Sequence, residues 1–218
     1  MLILYRCRNQ ISLCDSITCV TIENSNGVVS LKENKMARKE SVTRKIISDG
    51  AFELLREQGI EMLTARKLAS YIGCSTQPIF RVYNGMEELM SEMFTKAFEF
   101  YEEYCVNYNR VSPVPFVDLA LCYISFAKEE TNLFKLLFMT KHDEEITMYN
   151  LLNGKNSGFV IKELRRIPNL DMNNAEEIFM KVFVFMHGMA CMVTNGEFDL
   201  DDGDTEEMLK SVIVQFIS

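Results

Sequence analysis

The sequence predicts an all-α protein, with a small N-terminal head of three helices and a larger C-terminal helical body. Three observations carry that class. From Ser41 to Ile217 apolar residues recur every three or four positions, the period of a helix with one buried face. Cap residues stand where those periodic stretches begin and end. Between Thr64 and Leu89, TARKLASYIGCSTQPIFRVYNGMEEL reads as two short helices broken by a tight turn and followed at once by a longer helix.

The expected organisation is an extension over 1–35 that is disordered or non-native, a helix-turn-helix domain over 36–85, and a helical domain over 86–218. The first 35 residues have no helical period and mix Asn, Ser and Cys with short β-branched runs such as Ile17 to Ile22. Translation is expected to start at Met36. Lys32-Glu33 can be encoded as AAGGAG, a purine-rich ribosome-binding sequence, with Asn34 and Lys35 as spacing. The alternative is a genuine arm, disordered or strand-forming.

The first helix is predicted from Ser41, with Ile46, Ile47, Ala51, Phe52, Leu54 and Leu55 on one side and Gly59 closing it. Thr64 stands where an N-cap belongs, opening a second helix over Ala65 to Ile72. Ala69 is the small residue where two helices cross, and Gly73 supplies the backbone angle of the turn. Ser75 is read as the cap of the third helix, with Pro78 in its first turn. That arrangement projects Ser75, Thr76, Gln77 and Arg81 outward. Gln can pair bidentately with adenine, Arg with guanine, and Thr offers a hydroxyl and a methyl, so these side chains suit base edges in a major groove.

The stretch AFELLREQGIEMLTARKLASYIGCSTQPIFRVYNGMEELMSEMF resembles the DNA-binding domain of the TetR/AcrR family of bacterial transcriptional regulators over roughly fifty residues. The matching positions are Gly59, Thr64, Ala69, Gly73, Ser75, Phe80, Tyr83, Glu87, Glu88 and Leu89. Two positions depart from the pattern. Phe80 stands where members usually have a Tyr whose hydroxyl contacts phosphate, and Met86 where they usually have a phosphate-binding Lys. The resemblance implies DNA contacts from Arg38, Lys39, Thr64, Arg66, Lys67, Ser75, Thr76, Gln77, Phe80, Arg81 and Tyr83. Plain core packing is the alternative for Phe80 and Tyr83.

In the body, Met86 to Tyr108 reads as one long helix and Asn109 to Pro115 as a break. Phe116 to Lys128 and Thr131 to Met139 follow as helices. Asp143 to Leu152 and Ser157 to Ile167 are one helix interrupted at Gly154 and Gly158, or two. Asn173 to Thr194 and Thr205 to Ile217 are the last pair, with Asn173 or Asn174 and Asp204 as cap candidates and Gly196 as a stop.

The segment FVFMHGMACMVTNGEFDLDDGDTEEMLKSVIVQFI resembles the C-terminal region of a TetR subgroup with a His-Gly pair in its penultimate helix. That likeness implies a four-helix bundle with a second subunit, placing Phe179, Val182, Phe183, Met186, Met189, Ala190, Met192, Val212, Ile213 and Phe216 at or near a two-fold interface. The family also has a cavity in its body, which implies a small apolar or aromatic ligand held among Tyr101, Tyr104, Tyr123, Phe126, Phe138, Met139, Phe159, Phe183 and His187. Ordinary core packing is the alternative for each of these side chains.

Charge divides the chain. Residues 36–83 hold 8 Lys/Arg against 5 Asp/Glu, whereas 84–218 hold 11 against 23, within a formal total of −8. A mildly basic head on an acidic body suits a protein that touches phosphate with one end. Seven scattered cysteines without a CxxC pair favour a reducing cytoplasm over a disulfide framework or zinc site. Charges interrupt the apolar stretches, and no window approaches about 18 consecutive apolar residues, so no membrane partner is expected. Two histidines without paired spacing, no Gly-x-Ser-x-Gly elbow and no phosphate-binding loop support neither catalysis, nor a metal, nor a cofactor. The reading is a cytoplasmic, homodimeric, ligand-responsive repressor of a palindromic operator. The alternative is a helical ligand-sensing or protein-interaction module whose sequence-specific DNA binding is weakened or lost.

Overall fold

The structure, a computed structural model, describes residues 3–7, 10–15, 18–25, 28–35, 42–141, 147–197 and 201–217. The chain divides into two compact units, Met1–Val42 and Thr43–Ser218.

In the first unit the backbone forms four strands, β1 (Ile3–Cys7), β2 (Gln10–Asp15), β3 (Thr18–Ser25) and β4 (Val28–Lys35). They pair antiparallel in the order β1-β2-β3-β4, from Ile3 opposite Cys14 to Ser25 opposite Val28. Of the readings open for this stretch, a disordered or non-native extension or a strand-forming arm, the paired strands agree with the last. The strand signal was present in the β-branched run of β3 and in the Asn26-Gly27 pair between β3 and β4, the strongest short-range hairpin sequence.

The second unit is all-helical as predicted. Its head comprises α1 (Arg44–Gln58), α2 (Ala65–Tyr71) and α3 (Gln77–Val82). Its body comprises α4 (Met86–Asn107), α5 (Val117–Glu129), α6 (Thr131–Phe138), α7 (Met148–Asn153), α8 (Phe159–Leu164), α9 (Ala175–Thr194) and α10 (Asp202–Ile217). The stretch left open as one helix or two is two, because Gly154 and Gly158 both take positive φ.

Local chemistry explains these bounds. Thr43 caps α1 by accepting from the Ile46 amide, and Gly59 ends it at φ 86°. At α10 the cap is Asp201 rather than Asp204. Its carboxylate accepts from the Asp204 amide at 2.8 Å and its carbonyl from the Thr205 amide at 2.9 Å. Asn174 precedes α9 without a side-chain cap bond, while Gly196 ends it at φ 70°.

The core runs along α4, where Leu89, Met93, Ala97, Tyr101 and Cys105 form a buried ridge of four-residue period. Helix α5 is buried on nearly all sides, packed by α4, α6, α9 and α10. The bend into it costs strain: Phe116 sits buried at φ 66°, a conformation worth about 1–3 kcal/mol against a side chain of this kind. Holding it there, the Phe116 amide donates to Glu163 at 2.8 Å, Arg166 pairs with the same carboxylate at 2.6 Å, and Arg166 also donates to the Ser112 carbonyl at 2.6 Å.

Helix α9 is 20 residues long and contains an 18-residue window of mean hydropathy 1.4, which by length and composition alone is enough to cross a membrane. Glu176, Glu177, Lys181 and His187 interrupt it, so it holds no uninterrupted run of 18 apolar residues.

Candidate nucleic-acid interface

The reading head is built by two turns. The Thr64 hydroxyl accepts from the Lys67 amide at 3.3 Å and so starts α2 as predicted. At its other end the Cys74 amide donates to the Ala69 carbonyl at 2.8 Å and the Gly73 amide to Ser70 at 3.3 Å, a Schellman closure that requires the φ of 69° held by Gly73. Ser75 does not cap α3. That helix begins two residues later, with Thr76 at the cap position in helical conformation and no side-chain cap bond.

The close helix crossing was assigned to Ala69, which is indeed buried. The tighter approach lies at Gly50 in α1, where a Cβ would stand 2.2 Å from Cγ2 of Ile72. Sequence reading missed Gly50, since a glycine inside a helical pattern signals weakness before it signals contact.

Thr64, Arg66, Lys67, Ser75, Gln77 and Arg81 are exposed and Thr76 half-buried. They lie on the head with Ile79 turned inward beneath them. Phe80 is 52% exposed on the same helix, so it is not core. Tyr83 is core. It is 1% exposed, its hydroxyl donates to Glu92 at 3.2 Å, and the Arg44 guanidinium lies 4.4 Å above its ring. A group so enclosed cannot reach a duplex, which removes Tyr83 from the DNA-facing set. Arg38 and Lys39 lie outside the described residues.

Glu92 gathers the head onto the body. It accepts from Ser48, from Arg44 at 2.7 Å and from Tyr83. Burial acts to raise its pKa, but the three donors outweigh that and hold the carboxyl below its ordinary range. Burial also pushes the Tyr83 phenol upward, so it stays protonated as the donor. One turn earlier Glu88 accepts from both nitrogens of Asn84, at 2.9 and 2.8 Å, fixing the entry to α4. A second tie joins α1 to the body, where Arg56 pairs with Glu130 and its carbonyl accepts from Asn132 at 2.8 Å.

In the body the aromatic candidates pack against one another. Tyr101 meets Phe126 at 4.9 Å and Phe138 at 5.1 Å, and Tyr123 meets Phe138 at 4.9 Å. These four are buried core. Met139 is exposed, Tyr104 half-buried with its hydroxyl on Glu129, and Phe159 lies under Arg110. His187 is a hydrogen-bonded histidine, its Nδ1 2.9 Å from the Tyr123 hydroxyl, and burial lowers its pKa so that it is neutral near pH 7. Phe183 is the one candidate that lines the apolar cavity of about 580 Å³ between α7, α8 and α9, together with Met148, Tyr149, Ile161, Leu164, Phe179 and Met180.

Phe179, Val182, Phe183, Met186, Met189, Ala190 and Ile213 are buried within the protomer, whereas Val212 and Phe216 are half-buried and Met192 is exposed. Both helices also carry exposed apolar side chains, Met192 of the expected interface set among them. Met180, Val184 and Met192 of α9 and Met208 and Val214 of α10 are exposed.

No protein-family model matches the sequence, and no curated protein matches it. Solved structures do. A TetR-like transcriptional regulator from Rhodococcus sp. RHA1 superposes at TM-score 0.55 and 12% identity, covering 82% of this chain and 97% of that one. A putative TetR-family regulator from Vibrio parahaemolyticus gives 0.55 at 19% identity, covering 78% and 96%. A TetR-family member from Streptomyces coelicolor gives 0.50 at 14% identity, with the same coverage as the Vibrio protein. At these identities the likeness speaks for architecture, and it agrees with the turn geometry of the head and the helical body behind it: the chain has the fold of TetR-like transcriptional regulators.

Proposed function

We propose that the protein is a cytoplasmic, ligand-responsive repressor that binds a palindromic operator as a homodimer. The observation that carries this reading is the pairing of Gln77 and Arg81 on the exposed side of α3, behind a turn closed by Gly73. Those two side chains match the acceptor and donor patterns of adenine and guanine, while Thr64, Arg66 and Lys67 on α2 suit phosphate. A two-fold dimer would set two such helices roughly 34 to 36 Å apart in successive major grooves. The exposed apolar side chains of α9 and α10 support a second copy as the occupant, since only 33% of the 18-residue apolar window within α9 is buried in the single chain. The effector, a small apolar or aromatic molecule, fits the cavity between α7, α8 and α9. It would lower operator affinity by preferring a different spacing of the heads.

One observation favours a second reading, a helical sensing or interaction module with weakened DNA binding. Phe80 presents an exposed ring without a hydroxyl on the outer side of α3, and the half-buried Met86 opens α4 without a charge. Fluorescence anisotropy of a labelled duplex from upstream of its own gene, run across a salt series against random DNA, separates the two. The regulator binds its upstream duplex more tightly at every salt concentration. Equal affinity for random DNA supports the second reading, and no binding at low salt ends the first.

A further inference from the structure

Between α4 and α5 lies a groove of about 530 Å³ lined by Phe100, Glu103, Tyr104, Asn107, Tyr108 and Glu129. Its floor carries three aromatic rings, Phe100 and Tyr104 one turn apart on α4 and Tyr108 just past the end of that helix, where the backbone is extended. Tyr104 and Tyr108 stand 6.4 Å apart at 34°, and Tyr104 is held edge-on against Phe126 at 5.3 Å. The rim is acidic. The Tyr104 hydroxyl donates to Glu129 at 3.0 Å, and neither Glu103 nor Glu129 has a cationic partner within 4 Å among the described residues. The neighbouring cations are engaged elsewhere, Lys128 with Asp202 at 3.4 Å and Arg56 with Glu130.

We propose that this groove is a binding site for an organic cation carrying aromatic or aliphatic bulk, distinct from the apolar cavity between α7, α8 and α9. Ring faces carry negative quadrupole potential and attract a weakly hydrated cation, and two unpaired carboxylates at the rim add charge attraction while repelling anions. The protein already uses one of these rings in this way: the Arg56 guanidinium lies 5.0 Å over Phe100. A neutral apolar molecule would gain the rings but leave Glu103 and Glu129 uncompensated. The volume is that of a small-molecule site. Because Phe100 also carries Arg56, which ties α1 to the body, occupancy would be felt at the contact between head and body.

The test is direct binding, independent of DNA. Titration calorimetry of the full chain with tetraphenylphosphonium, and with neutral triphenylphosphine oxide as the control, should give saturable one-to-one binding of the cation. The exposed pair Glu103→Gln and Glu129→Gln, which keeps the acceptor for Tyr104, should weaken the cation about tenfold and leave the neutral control unchanged. Tyr108→Leu should weaken it as well, and Phe183→Leu, in the other cavity, should not. Undiminished binding to the double glutamine variant, or equal binding of the neutral control to the native chain, overturns the proposal, as does an absence of saturable binding.

Discussion

Tyr83 closes α3 by giving its hydroxyl to Glu92, 3.2 Å away on α4. The chain has left the helix at that point, with Tyr83 extended at φ −115° and ψ 137°, so the ring turns inward while Phe80, inside the helix, turns out. Tyr83→Phe should therefore destabilise the fold by about 1–2 kcal/mol, the value of a hydrogen bond to a charged acceptor that keeps other donors. It should do so without changing the dependence of DNA affinity on salt, because no phosphate contact is lost. Chemical denaturation beside a salt series of binding reads both.

Acid should loosen the same tie. The folded carboxyl of Glu92 lies below its ordinary value of 4.5, so its contribution is present in full above that value and is lost as pH falls through the folded pKa. Thermal unfolding followed below about pH 4.5 should show a steeper loss of Tm in the native chain than in Glu92→Gln, whose neutral side chain has nothing to protonate. Parallel slopes in the two proteins would place the acid sensitivity elsewhere.

Gly50 should resist replacement even though it lies in the middle of a helix. Alanine there gains about 0.5–1 kcal/mol of helix propensity, yet its Cβ meets Cγ2 of Ile72 at 2.2 Å, and a branched side chain cannot swing that atom away. Overpacking of this kind costs typically 1–3 kcal/mol, so Gly50→Ala should lower Tm by several degrees, about 2–4 °C per kcal/mol in a unit of this size. Adding Ile72→Ala should recover part of the loss. Additive losses would show that the contact is not the cause.

The helices of the second unit were legible because most carry a three-to-four period, and at α1 and α2 a threonine cap marks the start as well; the outward set on α2 and α3 followed from that same period. What periodicity could not give is instructive. Tyr83 follows Phe80 by three, a helical neighbour on paper, but the helix ends at Val82 and the spacing no longer applies. Helix α9 is apolar on nearly every side, so no stripe told which face is inside, and the residues expected at a two-fold interface include both the buried Phe179 and the exposed Met192. The run Asp199 to Asp204 offers several carboxylates as caps, and only the backbone selects Asp201. Aromatic enrichment reads identically for a packed core and a lined cavity, and most of the rings proved to be core.

Base reading and phosphate contact should separate at two residues. Gln77→Ala should cost about 1–3 kcal/mol on the operator and relax preference at one base pair, whereas Lys67→Ala should weaken operator and random DNA alike and flatten the salt slope by about one. Competition binding with a set of single-base operator variants measures both. Equal losses for Gln77→Ala on specific and random DNA would remove it from the base-reading set.

The free face of α9 offers the clearest contrast between stability and assembly. Val184 is 64% exposed, whereas Val182, two residues away, is 1% exposed and packed inside the protomer. If the second copy covers Met180, Val184 and Met192, then Val184→Lys places a charge in the centre of an apolar contact and should shift the protein to monomer at micromolar concentration. Its protomer should remain folded, with helical circular dichroism unchanged, because Val184 contributes little to the single chain. Val182→Ala should do the reverse, lowering Tm through the loss of buried methyl groups, by about 0.5–2 kcal/mol, while the dimer is retained. Sedimentation velocity on the two variants distinguishes these outcomes. A Val184→Lys protein that still sediments as a dimer would move the interface off this face.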